Sequence, residues 1–178
     1  MACANHEGVS SLPDTRDPFV AQLDAHRRLL YKVAHIYGRA AADREDLSQE
    51  IVVQLWRAFP RFDPQQKFST WMYRIALNVA ISWQRRERTQ TRHIVPAGEG
   101  VLEAAGAPDP VDDEDVTLLY RCIGTFDELD RALLLLYLDG HSHQDISDVL
   151  GITATNVATK IGRLKNRLRA QFRAAGHL

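Results

Sequence analysis

The chain has 178 residues, of which 45% are apolar and 25% are charged, a composition typical of globular rather than disordered proteins. No apolar run reaches the roughly 18 residues that span a bilayer, and the first residues lack the basic flank and apolar core of a secretory signal. We therefore expect a cytoplasmic protein without membrane insertion, long enough for two domains of under roughly 100 residues each.

The net charge of −1 conceals an uneven distribution of charge along the chain. Residues 15–95 carry 14 basic and 8 acidic side chains, whereas residues 96–118 carry 7 acidic side chains and no basic one. The last 6 basic residues all lie between Asn156 and Arg173, with no acid among them. Two basic regions separated by an acidic connector can bind a polyanion despite the near-neutral total.

Apolar residues recur at the helical period and no alternating strand pattern is found, which predicts an all-α fold. A first helix is predicted from Asp17 to Gly38, with Gly38 as its stop. A second is predicted to begin near Asp43, which would cap it with Asp46 as the acid three residues on. Pro60 should end this second helix.

Residues 61–68 are predicted to form a loop around Asp63-Pro64, after which Ser69 or Thr70 caps a third helix that runs to Arg86 or beyond. This helix is apolar nearly all round, which favours a place in the middle of a bundle and a core role for its two tryptophans. Its polar stripe consists of Arg74, Asn78, Ser82 and Arg85.

From Thr89 to Val111 the helical pattern gives way to Pro, Gly, Ala and acidic residues, which predicts a flexible acidic linker. The linker divides the sequence into two small helical domains. The expected order is a disordered tip over 1–15, a helical bundle over 16–88, the linker over 89–111, a second domain over 112–173 and a C-terminal tip over 174–178.

The second domain should end in a helix-turn-helix. A helical run begins at Asp112, and a further helix, opened by Asp127 with Asp130, extends to Gly140. Next, Ser142 and Asp145 form a capping box for a short helix, Gly151 provides a tight turn, and Thr153 caps a longer helix. A short helix, a glycine turn and a longer helix are the signature of this motif.

The outward side of the longer helix carries the candidate DNA-binding residues Asn156, Thr159, Lys160, Arg163, Lys165 and Arg167, followed by Arg169. Asparagine and arginine suit hydrogen bonding to base edges in the major groove, and the remaining cations suit phosphates. The alternative is a basic amphipathic helix that covers a core or binds a partner. The glycine turn and the run of basic residues occur together, which favours DNA binding over this alternative.

Several segments of the N-terminal half resemble region 2 of extracytoplasmic-function sigma factors, subunits of bacterial RNA polymerase in the sigma-70 superfamily. These segments are Asp46-Leu47-Ser48-Gln49-Glu50, Trp56-Arg57-Ala58-Phe59, Phe62-Asp63-Pro64 and Phe68 to Asn78. Residues 131–168 resemble region 4 of the same proteins. The resemblance implies a two-domain sigma factor that binds core RNA polymerase and promoter DNA and is controlled by an anti-sigma factor.

The resemblance also assigns roles to particular residues. Region 2 would dock on the polymerase through Asp46, Gln49, Glu50, Val53 and Arg57. It would capture the melted minus-ten strand through Phe62, Asp63, Lys67, Phe68, Arg74 and Asn78, since an extruded base needs a snug loop with aromatic or polar groups nearby. The region 4 helix would read the minus-thirty-five duplex. A solvated polar face remains the alternative for the docking residues.

Two positions depart from the family pattern. Ala158 stands where family members often carry a cation, and Gly162 replaces a larger groove-facing side chain. The departures predict an atypical upstream element and greater reliance on Lys160 and Arg163. The arginines at 85, 86, 88 and 92 are predicted either to bind phosphates or to form a solvent-exposed helix end without a ligand.

No phosphate-binding glycine loop, nucleophile elbow or zinc-protease motif is present, so we expect no enzyme, no cofactor and no small-molecule substrate. His141 and His143 do not complete a zinc site. Cys122 should be buried and not bonded to Cys3. The functional alternative is a conventional helix-turn-helix regulator that acts without core polymerase. Such a regulator would bind duplex DNA unaided.

Overall fold

The computed structural model describes residues 16–94 and 114–175, and within these ranges every regular element is a helix. The all-α prediction is confirmed. The helices are α1 Arg16–Ala25, α2 Arg27–Tyr37, α3 Ala41–Ala58, α4 Phe68–Ile94, α5 Glu114–Gly124, α6 Glu128–Leu138, α7 His143–Leu150 and α8 Ala154–Ala174, with a short 3-10 helix at Phe59–Arg61. In this part of the chain no helix is long and apolar enough to cross a bilayer.

The predicted first helix is two helices, because the chain breaks at His26, where φ is −113° and ψ is 14°. The break allows α1 to pack Phe19 against the end of α3, where its ring meets Trp56 and Phe59 edge-on at 5.2 Å each. Meanwhile α2 packs along α3 and α4. The prediction of one helix over 17–38 is therefore wrong in its middle, although the apolar period continues through the break.

The start of α3 corrects the predicted cap. Ala40 precedes the helix, and Asp43 is its third residue rather than its cap. The carboxylate of Asp43 accepts hydrogen bonds from the backbone N–H groups of Ala40 at 2.9 Å and Arg39 at 3.1 Å. The acid therefore satisfies the helix start from inside the first turn. The helix ends at Ala58, close to Pro60 as predicted.

The central helix α4 begins at Phe68, so neither Ser69 nor Thr70 caps it. It has fully buried side chains on two sides, including Met72, Tyr73 and Leu77, which confirms its place in the middle of the bundle. The helix continues to Ile94, so the prediction of a linker from Thr89 is wrong for its first residues. The predicted linker from residue 95 and the predicted tip over 1–15 lie outside the described residues.

The capping predictions in the C-terminal half are confirmed. Asp127 accepts from the backbone N–H of Asp130 at 2.8 Å, and Thr153 accepts from that of Asn156 at 3.2 Å. Ser142 and Asp145 form the expected reciprocal pair at the start of α7. Gly151 has a φ of +68°, the left-handed turn that glycine permits. Cys122 is buried with a free thiol, as predicted.

The two halves of the described chain share one continuous apolar core. Polar contacts reinforce the boundary: the Tyr37 hydroxyl donates to the Glu128 carbonyl at 2.7 Å, and the buried Arg131 guanidinium donates to the Ile36 carbonyl at 3.4 Å. Arg88 pairs with the Glu128 carboxylate. The two predicted domains are thus packed together, an arrangement that the sequence pattern does not reveal.

Candidate functional site

The long helix α8 presents a polar face to solvent. Its apolar side, formed by Val157, Ile161 and Leu164, is buried against the rest of the second domain. Of the six residues predicted to bind DNA, Asn156, Thr159, Arg163 and Arg167 are exposed, whereas Lys160 and Lys165 are half-buried. Glycine at 162 leaves open space beside this face, because a Cβ there would meet no atom within 4 Å.

Three of the predicted DNA-binding cations also contact the body of the domain. The Lys165 ammonium donates to the Tyr137 hydroxyl at 3.1 Å and lies 5.3 Å from the centre of its ring. Lys160 and Arg167 approach the carboxylate of Asp130 at 3.3 and 3.8 Å. Sequence analysis missed these contacts, since the capping pattern at Asp127 explained Asp130 without α8.

The loop before α4 rests on an aromatic cluster. Phe62 packs on Phe68 and Trp71 with ring centres 5.4 and 5.0 Å apart. Phe68 is only 7% exposed, so it supports the loop from beneath rather than facing solvent. Asp63 accepts from the backbone N–H of Gln65 at 2.9 Å and so fixes the turn of the loop.

The exposed residues of this predicted strand-binding surface are Asp63, Lys67, Arg74 and Asn78. Two of them face the helix-turn-helix. Arg74 donates to the backbone carbonyl of Asp148 in α7 at 3.1 Å. The pKa of Asp145, at the start of α7, is held down by hydrogen bonds from Ser142 and further by the charge of Lys67. The structure therefore brings α7 against the surface that sequence analysis assigned to single-stranded DNA.

The face of α3 that was predicted to dock on polymerase is mostly open. Asp46, Gln49 and Arg57 are exposed, and Val53 is 45% exposed. Glu50 is half-buried and accepts two hydrogen bonds from Arg86 at 2.8 and 2.7 Å. Two arginines of the 85–92 cluster, Arg86 and Arg88, thus form ion pairs within the protein.

Trp56 extends the exposed apolar area beside Val53, with 39% of its surface open to solvent. It was not assigned to the docking face by sequence analysis. Together the two side chains form a small exposed apolar area on α3.

A cavity of about 320 Å³ lies at the boundary between the two halves. At its wall the carboxylate of Asp139 meets both the Lys32 ammonium and the Tyr73 hydroxyl. Burial and the bond to Asp139 raise the pKa of Tyr73 far above its ordinary value. Beside them, the His141 ring packs edge-on against Tyr73 at 5.2 Å, and burial lowers the pKa of His141.

Over 16–94 and 114–175, no group of three or more His, Cys, Asp or Glu side chains is arranged to hold a metal ion. His141 instead packs on Tyr73, and His143 is exposed at the start of α7.

Comparison with known proteins matches both halves of the chain. Residues 23–90 match the family model for sigma-70 region 2, and residues 117–168 match the model for sigma-70 region 4. The ECF RNA polymerase sigma factor SigW of Bacillus subtilis is 25% identical over 89% of this chain and 90% of its own length. The RNA polymerase sigma factor CnrH of Cupriavidus metallidurans is 29% identical over 82% of this chain and 81% of its own length.

Two solved structures share the fold. One is CnrH in complex with the cytosolic domain of CnrY, with a TM-score of 0.63 and 22% identity over 90% of this chain and 91% of that one. The other is the sigma factor RpoE in complex with the anti-sigma factor NepR from Bartonella quintana, with a TM-score of 0.69 and 18% identity over 91% and 98%. The predicted resemblance is confirmed: the chain belongs to the sigma-70 family and is an extracytoplasmic-function sigma factor.

Proposed function

We propose that this chain binds core RNA polymerase through α3, reads the minus-thirty-five duplex with α8 and captures the melted minus-ten strand beside α4. The observation that supports the proposal is the presence of two separate exposed polar surfaces in one sigma-70 chain. Asn156 and Arg163 are exposed on α8, and Arg74 and Asn78 are exposed on α4. The first pair suits base edges of a duplex, and the second lies next to a loop built on aromatic rings.

The packing of α7 against α4 limits when the proposed minus-ten surface can bind DNA. Because Arg74 donates to the Asp148 carbonyl, α7 occupies part of the surface proposed for the minus-ten strand. A strand cannot bind there while α7 remains in place. Promoter opening therefore requires the two halves to separate, at least around α7.

Control by an anti-sigma factor is supported by solved structures that share the fold. RpoE was solved in complex with an anti-sigma factor, and CnrH in complex with the cytosolic domain of CnrY. Both share the fold of this chain over about nine tenths of its length. We propose that an anti-sigma factor holds this chain in the closed arrangement and covers the exposed apolar area around Val53 and Trp56.

In vitro transcription with purified core polymerase on a genomic promoter library tests the function. Transcripts that start at defined sites only when the full chain is added are the expected result. A conventional regulator would instead bind duplex promoter DNA without polymerase and would not change start-site selection by core enzyme. Either of those results would overturn the proposal.

The docking face has its own test. Val53→Arg places a charge in the centre of the proposed interface and should weaken binding to core polymerase by roughly 1–3 kcal/mol. Helicity should be unchanged, since Val53 is 45% exposed. Val20→Arg is the matched control, because Val20 is similarly exposed at 49% but lies on α1. Equal losses for both variants, or none for either, would remove α3 as the specific docking face.

A further inference from the structure

Asp130 is a carboxylate in an unusual position for an acidic residue. It is the third residue of α6, its backbone N–H donates to Asp127, and its side chain is only 10% exposed. A buried carboxylate is costly unless cations or hydrogen-bond donors compensate its charge. The compensating groups must come from elements packed around it.

Among the residues that the structure describes, the two cations that approach Asp130 both belong to α8. The Lys160 ammonium lies 3.3 Å from one carboxylate oxygen, and the Arg167 guanidinium lies 3.8 Å from the other. The two residues are seven positions apart, about two helical turns, so they project from one side of α8. Arg167 also lies 4.5 Å from the centre of the buried Phe126 ring, a favourable contact between a cation and an aromatic face.

Arg163 lies between these two cations in sequence and behaves differently. Its side chain is exposed, and no hydrogen bond or ion pair ties it to another part of the described chain. The face of α8 therefore contains cations of two kinds. Lys160 and Arg167 form ion pairs with the buried Asp130, whereas Arg163 is free to contact a ligand.

We propose that Asp130 is a positioning residue for promoter recognition, which holds Lys160 and Arg167 on the protein and limits their contribution to phosphate binding. This inference rests on the proposed reading of duplex DNA by α8. Phosphate contacts carry little sequence information, whereas base contacts specify. By restraining two cations, Asp130 lowers the sequence-independent part of the affinity and leaves discrimination to Arg163 and Asn156.

Salt dependence measures this restraint directly. Each phosphate contact steepens the plot of log affinity against log salt by about 0.9. Holoenzyme assembled with the Asp130→Asn full chain should therefore bind upstream-element duplex with a slope steeper by about one to two units. It should also discriminate several-fold less between the promoter duplex and a scrambled duplex. A merely structural role for Asp130 would change affinity without changing the slope.

Asp148→Asn is the matched control for the loss of one negative charge. Asp148 is exposed in the same domain, and its carboxylate accepts a hydrogen bond from Gln144, within α7, at 3.0 Å. This variant should change the slope by far less than Asp130→Asn. Equal slopes for the two variants would show only a general charge effect and would overturn the proposal.

A second comparison leaves Asp130 in place and so does not depend on how its variant folds. Lys160→Gln should reduce the salt slope by less than Arg163→Gln does, because the Lys160 charge is already partly neutralised. A reduction as large as that of Arg163→Gln would overturn the restraint. If wild-type holoenzyme binds no upstream duplex at all, it is the proposed reading by α8 that fails, whereas binding with equal slopes contradicts the role of Asp130 alone.

Discussion

Gly162 occupies an exposed position in the middle of α8, where a Cβ would meet no neighbouring atom. Glycine in a helix costs about 0.5–1 kcal/mol relative to alanine, because it loses more conformational freedom on folding. Gly162→Ala should therefore increase the free energy of unfolding by about that amount. Urea denaturation of the full chain, followed by circular dichroism, measures the change.

Gly151→Ala is the control for this prediction. A Cβ at Gly151 also has open space, but its φ of +68° is a conformation that alanine adopts only at a cost. That variant should lose on the order of 1 kcal/mol. If both alanine variants shift stability in the same direction, backbone conformation is not what distinguishes the two glycines.

His141 should give the protein a pH-dependent stability near neutrality. Burial lowers its pKa, outweighing the opposing effects of Asp145 and Asp139, and Lys67 adds to the lowering. The unfolded chain, with a histidine pKa of about 6.5, therefore takes up a proton before the folded chain does. Stability is fully present above about pH 6.5 and should fall as the pH drops below that value.

The measurement is the free energy of unfolding between pH 7.5 and 5.5. In the His141→Gln variant the free energy of unfolding should fall less as the pH drops. In the His143→Gln variant, which changes an exposed position, it should fall as much as in the wild type. The lowered pKa of Asp145 does not interfere, because its contribution to stability is lost only at much lower pH. A wild-type profile that is flat over this range would contradict the role of His141.

Hydrogen bonds between a side chain and the first turn of its own helix could be predicted from the sequence, residue by residue. Ser142 and Thr153 cap α7 and α8 as predicted, because a capping bond spans three residues and is visible in the sequence. The pairing of Asp130 with α8 spans 30 and 37 positions and depends on how two helices pack. Local pattern carries no information about such a pairing.

The helices themselves were predictable in type and less so at their ends. The break at His26 was missed because the apolar period continues from α1 into α2. The extension of α4 past Thr89 was missed because the polar residues there end the amphipathic pattern but not the helix. The amphipathic pattern of a sequence reflects which side chains are buried. The end of a helix depends instead on its backbone hydrogen bonds, which that pattern does not show.

The two helices proposed to bind DNA, α4 and α8, should act at different stages of initiation. Arg163→Ala removes the proposed contact to intact duplex and should cost on the order of 1–3 kcal/mol in closed-complex binding. Asn78→Ala, on α4, should leave closed-complex binding unchanged but reduce strand opening. Permanganate footprinting on duplex and pre-melted templates separates the two.

A pre-melted bubble at the minus-ten element should partly rescue Asn78→Ala, because the strand no longer has to be captured as it opens. The same bubble should not rescue Arg163→Ala, whose contact lies upstream in intact duplex. Equal rescue of both variants, or of neither, would contradict the division of labour between α4 and α8.

At the scale of the whole molecule, sequence analysis predicted two domains but not the contact between them. The residues at the boundary look like ordinary helix positions: Tyr73 belongs to the apolar pattern of α4, and Asp139 follows α6 in a turn. Only the folded chain brings the Asp139 carboxylate between Lys32 and Tyr73. Such a contact depends on the relative placement of whole helices.

Asp139 should therefore control how tightly the two halves close. Asp139→Asn keeps the size of the side chain but removes the charge that pairs with Lys32 and weakens the acceptor for the Tyr73 hydroxyl. Loss of one partner in a partly buried polar network costs about 1–3 kcal/mol. The variant should populate an open form with a larger radius of gyration by small-angle X-ray scattering and with unchanged helicity.

Separation of the two halves should also strengthen binding to core polymerase. If only the open form binds, the apparent dissociation constant is the intrinsic one divided by the open fraction, so raising that fraction tightens binding. Asp139→Asn should then bind core polymerase several-fold more tightly than wild type, whereas Asp148→Asn, away from the Lys32–Tyr73 contact, should not. An expanded variant with unchanged affinity would separate closure from polymerase binding, and an unexpanded variant would remove Asp139 as the residue that holds the halves together.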